Sequence, residues 1–409
     1  MALDFCSAYL SRITGRPVKM TYTREEMFYH HRGRHKQHMD LKIGIKKDGT
    51  ITAVDFDNTL DGGAHSSWGL VVMWFTAALT HLPYKIPNVH FDGRRIYTNK
   101  PTTGAQRCLG GVQVRIAIES LLDQAAEKLG RSPLELRLQN AVESGYRAAA
   151  AVKVRHSEFK KCLESVAERS GYEDKRGKLP FGRGIGLAGG HYSTGGAYLL
   201  YNSLRPHSTA NIRVDTEAGI TVFTGATDVG QGATTVIPQM AAEMFGVDHR
   251  NVHLVCQDTM LAPMDNGTYD SRLTYGVGHA VKNAAVDALT KLFDFVSAGM
   301  GVPAFHLRAK DGMIYSTFNP KKKIPFYDAV ARFHSARGVL FGTGEYTPPQ
   351  PKATYPGNLI GPSPAFGFSA QVAEVEVDTD TGKISIVDYW ESGDCGKALN
   401  PMAVEGQVE

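Results

Sequence analysis

Apolar residues recur at helical spacing through residues 3–14, ahead of Gly15, and Pro17 then predicts release of the chain into a strand, "VKMTYT". The stretch "KIGIKKDGTITAVDF" (42–56) reads as a hairpin around Asp48 and Gly49. The same plan returns in "ANIRVDTEAGITVFTG" (210–225) and "AEVEVDTDTGKISIVDY" (373–389), each with an aspartate-bearing turn that ends in glycine between β-branched strands. This recurrence predicts topologically related halves. Helical periodicity marks 112–129, with Val114, Ile118, Leu121, Leu122 and Ala125 on one side, then 157–169, 233–245 and about 276–297. A further helix is expected to start at Pro133 behind a Ser132 cap. Gly- and Pro-rich connections at 171–186 and 344–364 are the expected boundaries. The pattern is that of an α+β protein with mixed sheets and packed helices.

Composition narrows the class. A chain of 409 residues, 42% hydrophobic and 21% charged, can bury an ample core and is composed like an ordinary soluble protein. Its net charge of +4, from 45 basic and 41 acidic residues, is too small to call for nucleic acid. No apolar run reaches the length of a membrane span, and the N-terminus has no basic region followed by a small-residue cleavage site, so no membrane association and a cytoplasmic location are expected. The five cysteines, Cys6, Cys108, Cys162, Cys256 and Cys395, are widely spaced, so no disulfide framework, zinc site or iron–sulfur site follows from local spacing. "DTDTG" lacks the ligand spacing and closing glutamate of a calcium loop.

Candidate chemistry lies in glycine-punctuated segments. "GATDVGQGATT" (225–235) places Gly225, Gly230 and Gly232 between a strand and a helix, and glycine is costly to order. Neither a triphosphate loop nor a dinucleotide fingerprint is present, so the segment is either a tight turn or a cradle for another group. "TGAQRCLGGVQ", "GTYDSRLTYGVGHAV" and "ALNPMAVEGQVE" also combine glycines with helices. Helix starts offer free N–H groups and a positive dipole end, and glycines let a bulky anionic ligand approach them, although each segment alone also reads as a plain turn. The histidine- and arginine-rich "YHHRGRHKQH" (29–38) would split its side chains between two faces if it were a strand, and reads as a solvated edge. Cys108 beside Arg107 reads as an inert buried thiol rather than an activated one, and His65, His207 and His279 show no partner in the sequence.

Taken together and in order, these segments resemble the molybdenum-binding large subunit of the xanthine dehydrogenase and aldehyde oxidase family. The resemblance runs through essentially the whole chain: "GRPVKMTYTREE", "KKDGTITAVDF", "LDGGAHSS", "YKIPNVHFDGRRIYTNKPTTGAQR", "ESLLDQAAEKLGRSPLELRLQN", "TGATDVGQGATT", "EVEVDTDTGKISI" and "LNPMAVEGQVE". Within the family, "LAPMDNGTYDSRLT", "GEYTPP" and "GPSPAFGFSAQVAEVEVD" look most like the large subunit of 4-hydroxybenzoyl-coenzyme A reductase.

That resemblance implies two molybdenum-cofactor-binding domains, expected at 1–175 and 176–409, that hold a molybdenum-bearing pterin, often carried as a cytosine dinucleotide. Gly230, Gln231 and Gly232 would bond the pterin, Ser271, Arg272 and Thr274 would hold cofactor phosphate, and Gln407 would add another pterin contact. Arg107 would approach the metal centre, orient an oxygen and stabilise developing negative charge as the catalytic residue. No protein side chain is expected to ligate the metal. The activity implied is hydroxylation, or reductive dehydroxylation, at an sp² carbon of a small aromatic substrate such as 4-hydroxybenzoyl-coenzyme A. The alternatives are hydroxylation of another aldehyde or N-heterocycle, or a non-catalytic fragment. Iron–sulfur clusters and FAD are expected on partner subunits, in a dimer of heterotrimers.

Three departures from the family pattern stand out. Where many relatives read A-x-R-G-F-G, Cys108 and Leu109 replace the glycine and the aromatic residue. Phe75 stands nine residues before Tyr84, where xanthine dehydrogenases have an arginine. The family's upstream glycine loop and its catalytic glutamate, in a G-x-G-E segment, have no counterpart here, so the chain resembles the central portion of a longer subunit.

Overall fold

A computed structural model describes residues 2–148, 152–196, 206–349 and 363–409. The chain opens with α1 (Ala2–Thr14), which ends at Gly15 in the left-handed region. The expected strand at 18–23 does not form: this stretch is irregular and leads into α2 (Arg24–His30). The local reason is a capping box. Thr23 accepts from the Glu26 N–H, and the Glu26 carboxylate accepts from the Thr23 N–H at 2.7 Å. A strand needs a partner ladder, whereas this box satisfies its own backbone groups.

The hairpin at 42–56 forms as β1 (Gln37–Ile45) and β2 (Ile51–Asp61), with Asp48 accepting from the Thr50 N–H and Gly49 at φ +89°. An unexpected helix, α3 (Gly69–Leu79), then carries the chain to β3 (Val89–Ile96), which pairs parallel to β2. Next come α4 (Gly111–Leu129), α5 (Pro133–Asn140), α6 (Phe159–Ser170), the short α7 (Tyr172–Lys175) and β4 (Arg183–Thr194). Ser132 caps α5 through the Leu134 N–H, as its sequence requires.

The hairpin plan then repeats. β5 (Ser208–Val214) and β6 (Ile220–Thr224) are antiparallel, α8 (Ala233–Phe245) crosses over, and β7 (Val252–Val255) pairs parallel to β6. A π-turn at Leu273–Val277 feeds the long α9 (Gly278–Met300), the counterpart of α4. The small sheet of β8 (Leu307–Lys310), β9 (Met313–Ser316) and β10 (Lys323–Pro325) follows, then α10 (Phe326–Arg337) and β11 (Leu340–Tyr346), which joins the edge of β5. The third hairpin, β12 (Ala365–Val377) with β13 (Ile384–Asp394), leads to α11 (Pro401–Val408).

The equivalent turns of the two units are filled differently. In the first, Arg95 lies across the turn between β2 and α3: a Cβ on Gly62 would lie 2.3 Å from its Cζ, and one on Gly69 only 1.9 Å from its Nε. In the second, between β6 and α8, a Cβ on Gly230 or Gly232 would meet nothing within 4 Å.

Two large apolar cores form. One gathers β5, β6, α8, α9 and α10 around Ile212, Val222, Phe245, Val281 and Leu292. Gly342 and Gly344 let β11 press against α9, since a Cβ on Gly344 would lie 2.2 Å from the Ala280 carbonyl oxygen. The other core joins Phe56, Phe75, Ile118 and Phe159 to Leu187 of β4 and to Phe368, Ala370 and Val372 of β12. β4 and β12, from the second expected half, thus pack into the core of the first. β12 pairs with β4 over Ala365–Glu376, and buried Glu374 binds Lys175 and Arg183 at 2.8 and 2.7 Å. The expected boundary at 344–364 falls partly outside the described residues, which stop at 349 and resume at 363. α4 is fixed to β4 by charge: Glu119 accepts from buried Arg137 at 2.8 Å and from the Gly189 N–H at 3.1 Å.

Candidate functional site

The turn between β6 and α8 is built around Asp228. Its carboxylate accepts from the Gly230 N–H at 2.8 Å and from both the N–H and hydroxyl of Thr234 at 3.1 Å. Asp228 thereby caps α8, whose own N-cap residue, Gly232, has no side chain to do so. These bonds hold its carboxyl below the usual carboxylate range, so it is ionised and engaged rather than poised as a base. Gln231 folds back on the same turn: its Oε1 accepts from the Val229 N–H at 2.6 Å and its Nε2 donates to the Thr227 carbonyl at 3.0 Å. Gly230 and Gly232, at φ +102° and +81°, present backbone on an open side.

One segment, 265–272, meets this turn on one side. Thr268 Oγ1 accepts from the Thr227 N–H and donates to the Thr227 carbonyl. Gly225 packs against the same region, since a Cβ there would lie 2.6 Å from the Pro263 carbonyl oxygen. Arg272 is a buried clamp beneath it. Its guanidinium donates to Asp265 at 2.8 Å, the Gly267 carbonyl at 2.6 Å, the His207 carbonyl at 2.7 Å and Ser208 Oγ at 2.6 Å. With 1% of its surface exposed, Arg272 shapes the loop from within. Asp270 and Ser271 both sit at φ +49°, an uncommon conformation for residues with a side chain. The following π-turn and α9 have no side-chain cap and no acid in their first turns, and Ser271 and Thr274 are exposed there.

On its other side the segment meets β4, which leads on to the Arg107 loop. Ser193 of β4 donates to Asp270 at 2.7 Å, and the neighbouring Tyr192 is pushed well above the usual phenol range by burial, then by Asp270 and Cys108. Tyr192 stacks on Phe75 at 6.0 Å between ring centres, and Phe75 is 1% exposed. Cys108 lies between these groups at φ +54°, and a Cβ on Gly111 would come within 2.6 Å of its sulfur. Burial pushes the Cys108 thiol up to about 11 against the opposing pull of Arg115 and Arg34, as expected for an inert thiol.

Segment 265–272 is thus bonded to the Gln231 turn through Thr268 and to β4 through Asp270, and Tyr192 of β4 in turn lies against the chain at 108–111. Arg107 itself is exposed. Gln407 lies on α11, which buries none of its residues. His279 does have partners: its ring meets the Tyr275 carbonyl at 2.7 Å and stacks on Tyr346. The stretch 29–38 is not a solvated edge throughout. α2 ends at His30, His35 is 3% exposed, and Arg34 donates to the Arg107 carbonyl at 2.9 Å. Thr268 and Arg34 lie inside segments the sequence singles out, "GTYDSRLTYGVGHAV" and "YHHRGRHKQH", but nothing local marks their roles, since their partners lie 41 and 73 positions away. Among the described residues no group of three or more His, Cys, Asp or Glu could hold a metal ion, and no helix is long and apolar enough to cross a membrane.

Comparison with known proteins agrees with this architecture. The family described as "Molybdopterin cofactor-binding domain" matches residues 1–141 and, in a second form, 161–409. The putative xanthine dehydrogenase molybdenum-binding subunit XdhA of Escherichia coli is 30% identical over 97% of this chain and 52% of its own length. The aldehyde oxidoreductase of Megalodesulfovibrio gigas is 27% identical over 98% of this chain and 41% of its own. Among solved structures, quinoline 2-oxidoreductase from Pseudomonas putida superposes with a TM-score of 0.87 at 25% identity, covering 99% of this chain and 53% of that one. The chain spans about half the length of these relatives. It belongs to the molybdopterin cofactor-binding domains of the xanthine dehydrogenase and aldehyde oxidoreductase family.

Proposed function

We propose that this chain holds molybdopterin between the Gly230–Gly232 turn and the Arg107 loop, as the cofactor-holding part of an oxidoreductase acting at an sp² carbon. The observation that supports the reading best is the double attachment of segment 265–272, through Thr268 to the Gln231 turn and through Asp270 to Ser193 of β4, whose neighbour Tyr192 lies against the end of the Arg107 loop. The residues present fit the group. Gly230 and Gly232 leave backbone approachable, while Asp228 already serves the α8 start, so a neutral pterin edge suits that turn better than a phosphate would. The uncapped helix start beside Ser271 and Thr274 suits the phosphate, with Arg272 shaping the loop beneath. Gln407 would add a contact from α11. When bound, the cofactor supplies two-electron chemistry and the oxygen transfer. Arg107, exposed at the tip of its loop, would orient an oxygen and stabilise negative charge.

Phe75, buried against Tyr192 where xanthine dehydrogenases have an arginine, leaves no charged partner for a purine at that position, which favours a small aromatic substrate. Reductive dehydroxylation of 4-hydroxybenzoyl-coenzyme A is the specific candidate. Electrons would pass through partner subunits bearing iron–sulfur clusters and FAD, in a dimer of heterotrimers and in the cytoplasm; the E. coli relative is itself named a molybdenum-binding subunit. The test is metal and pterin analysis of the freshly isolated complex, followed by assay with 4-hydroxybenzoyl-coenzyme A, an aldehyde and xanthine. Molybdenum near one per chain, with turnover of the aryl thioester, is expected. Absence of molybdenum would overturn the reading, and turnover of xanthine alone would overturn the substrate assignment.

A further inference from the structure

The stretch from Tyr29 to His38 has no part in the function proposed above, yet its centre is joined to the Arg107 loop. Residues 31–36 run as irregular chain between α2 and β1. The Gly104 N–H donates to the Gly33 carbonyl at 3.0 Å, and Gln113 Nε2, from the first turn of α4, donates to the His35 carbonyl at 3.3 Å. A Cβ on Gly104 would come within 2.9 Å of the Cβ of Arg32, so the two strips of chain are in close contact. Between these supports, Arg34 Nη2 donates to the Arg107 carbonyl at 2.9 Å. Its Nη1 is closed off from solvent without a partner, so the Arg107 carbonyl is the one acceptor this guanidinium has among the described residues. The peptide it grips leads into Cys108, which is held left-handed at φ +54° despite having a side chain. Such a backbone needs an external hold, and a charge-assisted bond to the preceding carbonyl provides one.

We propose that Arg34 is the positioning residue of the Arg107 loop, fixing the peptide from which the exposed Arg107 side chain projects. The hold on the loop stands independently; its consequence for cofactor and substrate rests on the function proposed above. A rival role, stabilising the irregular segment 31–36 alone, would affect neighbouring elements rather than the loop.

The experiment compares Arg34→Met and Arg34→Lys with Lys36→Met in the full chain. Lys36 is the control, since it is an exposed cation on the same segment. Amide hydrogen exchange is read at 104–110, at 225–232 and across α2 and β1, without cofactor. Arg34→Met is expected to speed exchange at 104–110 by about tenfold, as loss of one charge-assisted bond predicts, with 225–232 unchanged. Arg34→Lys, which keeps the charge but not the planar fork, should speed it by roughly threefold. Lys36→Met should leave 104–110 as in the parent. Unchanged exchange at 104–110 in Arg34→Met, or an equal rise through α2 and β1, would overturn the proposal. If Arg34→Met does not fold, Arg34→Lys decides: a rise confined to 104–110 supports the role and parental exchange overturns it. Molybdenum content is measured in parallel, so a chain that binds no cofactor would remove the proposed function and leave the exchange result standing.

Discussion

Thr268 bonds both backbone groups of Thr227 with a single hydroxyl, accepting from its N–H at 3.2 Å and donating to its carbonyl at 2.8 Å. The turn that carries Gln231 is thereby tied to the segment whose Asp270 accepts from Ser193. Thr268→Val keeps the shape and removes both bonds. Because these groups are exposed, water replaces the partner, and the global cost should be about 1 kcal/mol. Retention of molybdenum should fall much further than the thermal midpoint does, as measured by metal analysis and calorimetry on the same preparation.

Asp228 gives a pH-dependent counterpart. Its carboxyl is held below the usual range by the Thr234 and Gly230 backbone N–H groups, so its contribution is complete above the unfolded carboxyl pKa of about 4 and is lost as pH falls through the lower folded value. Asp228→Asn should be less stable than the parent at pH 7 by about 0.3–1 kcal/mol, the usual worth of a carboxylate charge at a helix start. The two urea midpoints should converge on acidification below about pH 4. A gap that stays constant to pH 2 would show that the charge has no part in the cap.

Cys108, with its thiol pushed up to about 11, should resist a thiol reagent at pH 8 in the folded chain. Cys6 and Cys395 are exposed and should react first. Peptide mapping after brief labelling tests this order, and labelling of Cys108 as fast as Cys6 would contradict the packing around Gly111 and Tyr192.

Gly344→Ala should be among the costliest single-methyl changes in the chain. The added carbon would lie 2.2 Å from the Ala280 carbonyl oxygen and 2.3 Å from the Ala284 nitrogen, both backbone atoms of α9 that cannot swing aside. A loss of about 3 kcal/mol is expected in chemical denaturation. Gly382→Ala, at an exposed turn with no atom within 4 Å of the new carbon, should cost much less, about 1 kcal/mol from its left-handed backbone alone.

Much of the fold is legible because its signals are local. Asp48-Gly49, the glycine-closed turns of the other hairpins and the Ser132-Pro133 start of α5 each dictate backbone within a few residues. α2 was obscured because the alternating "VKMTYT" resembles a strand, although Thr23 and Glu26 already spell its cap. α3 was obscured because its run "GLVVMWFTAAL" is apolar on every side and so shows no period. At the site, the glycines could be read because three of them punctuate one strand-to-helix connection. The residues that tie the loops together could not: Thr268 meets Thr227 across 41 positions, and Arg34 meets the Arg107 carbonyl across 73. Arg272 illustrates the limit of a motif. Its place beside Ser271 and Thr274 suggests a ligand contact, whereas its surroundings direct its guanidinium to Asp265, Gly267, His207 and Ser208.

Arg95 gives the duplicated hairpin and helix an asymmetry that the strand order conceals. Its guanidinium stoppers the turn between Gly62 and Gly69 and donates to the Gly62 and His65 carbonyls, whereas the twin turn at Gly230 and Gly232 stays unplugged. The capacity to admit a guest thus depends on whether a side chain from the neighbouring strand fills the turn. The stoppered twin has no room for a further side chain, whereas at the open twin a methyl on residue 230 or 232 would clash with no neighbour and would meet only the strain of a left-handed backbone.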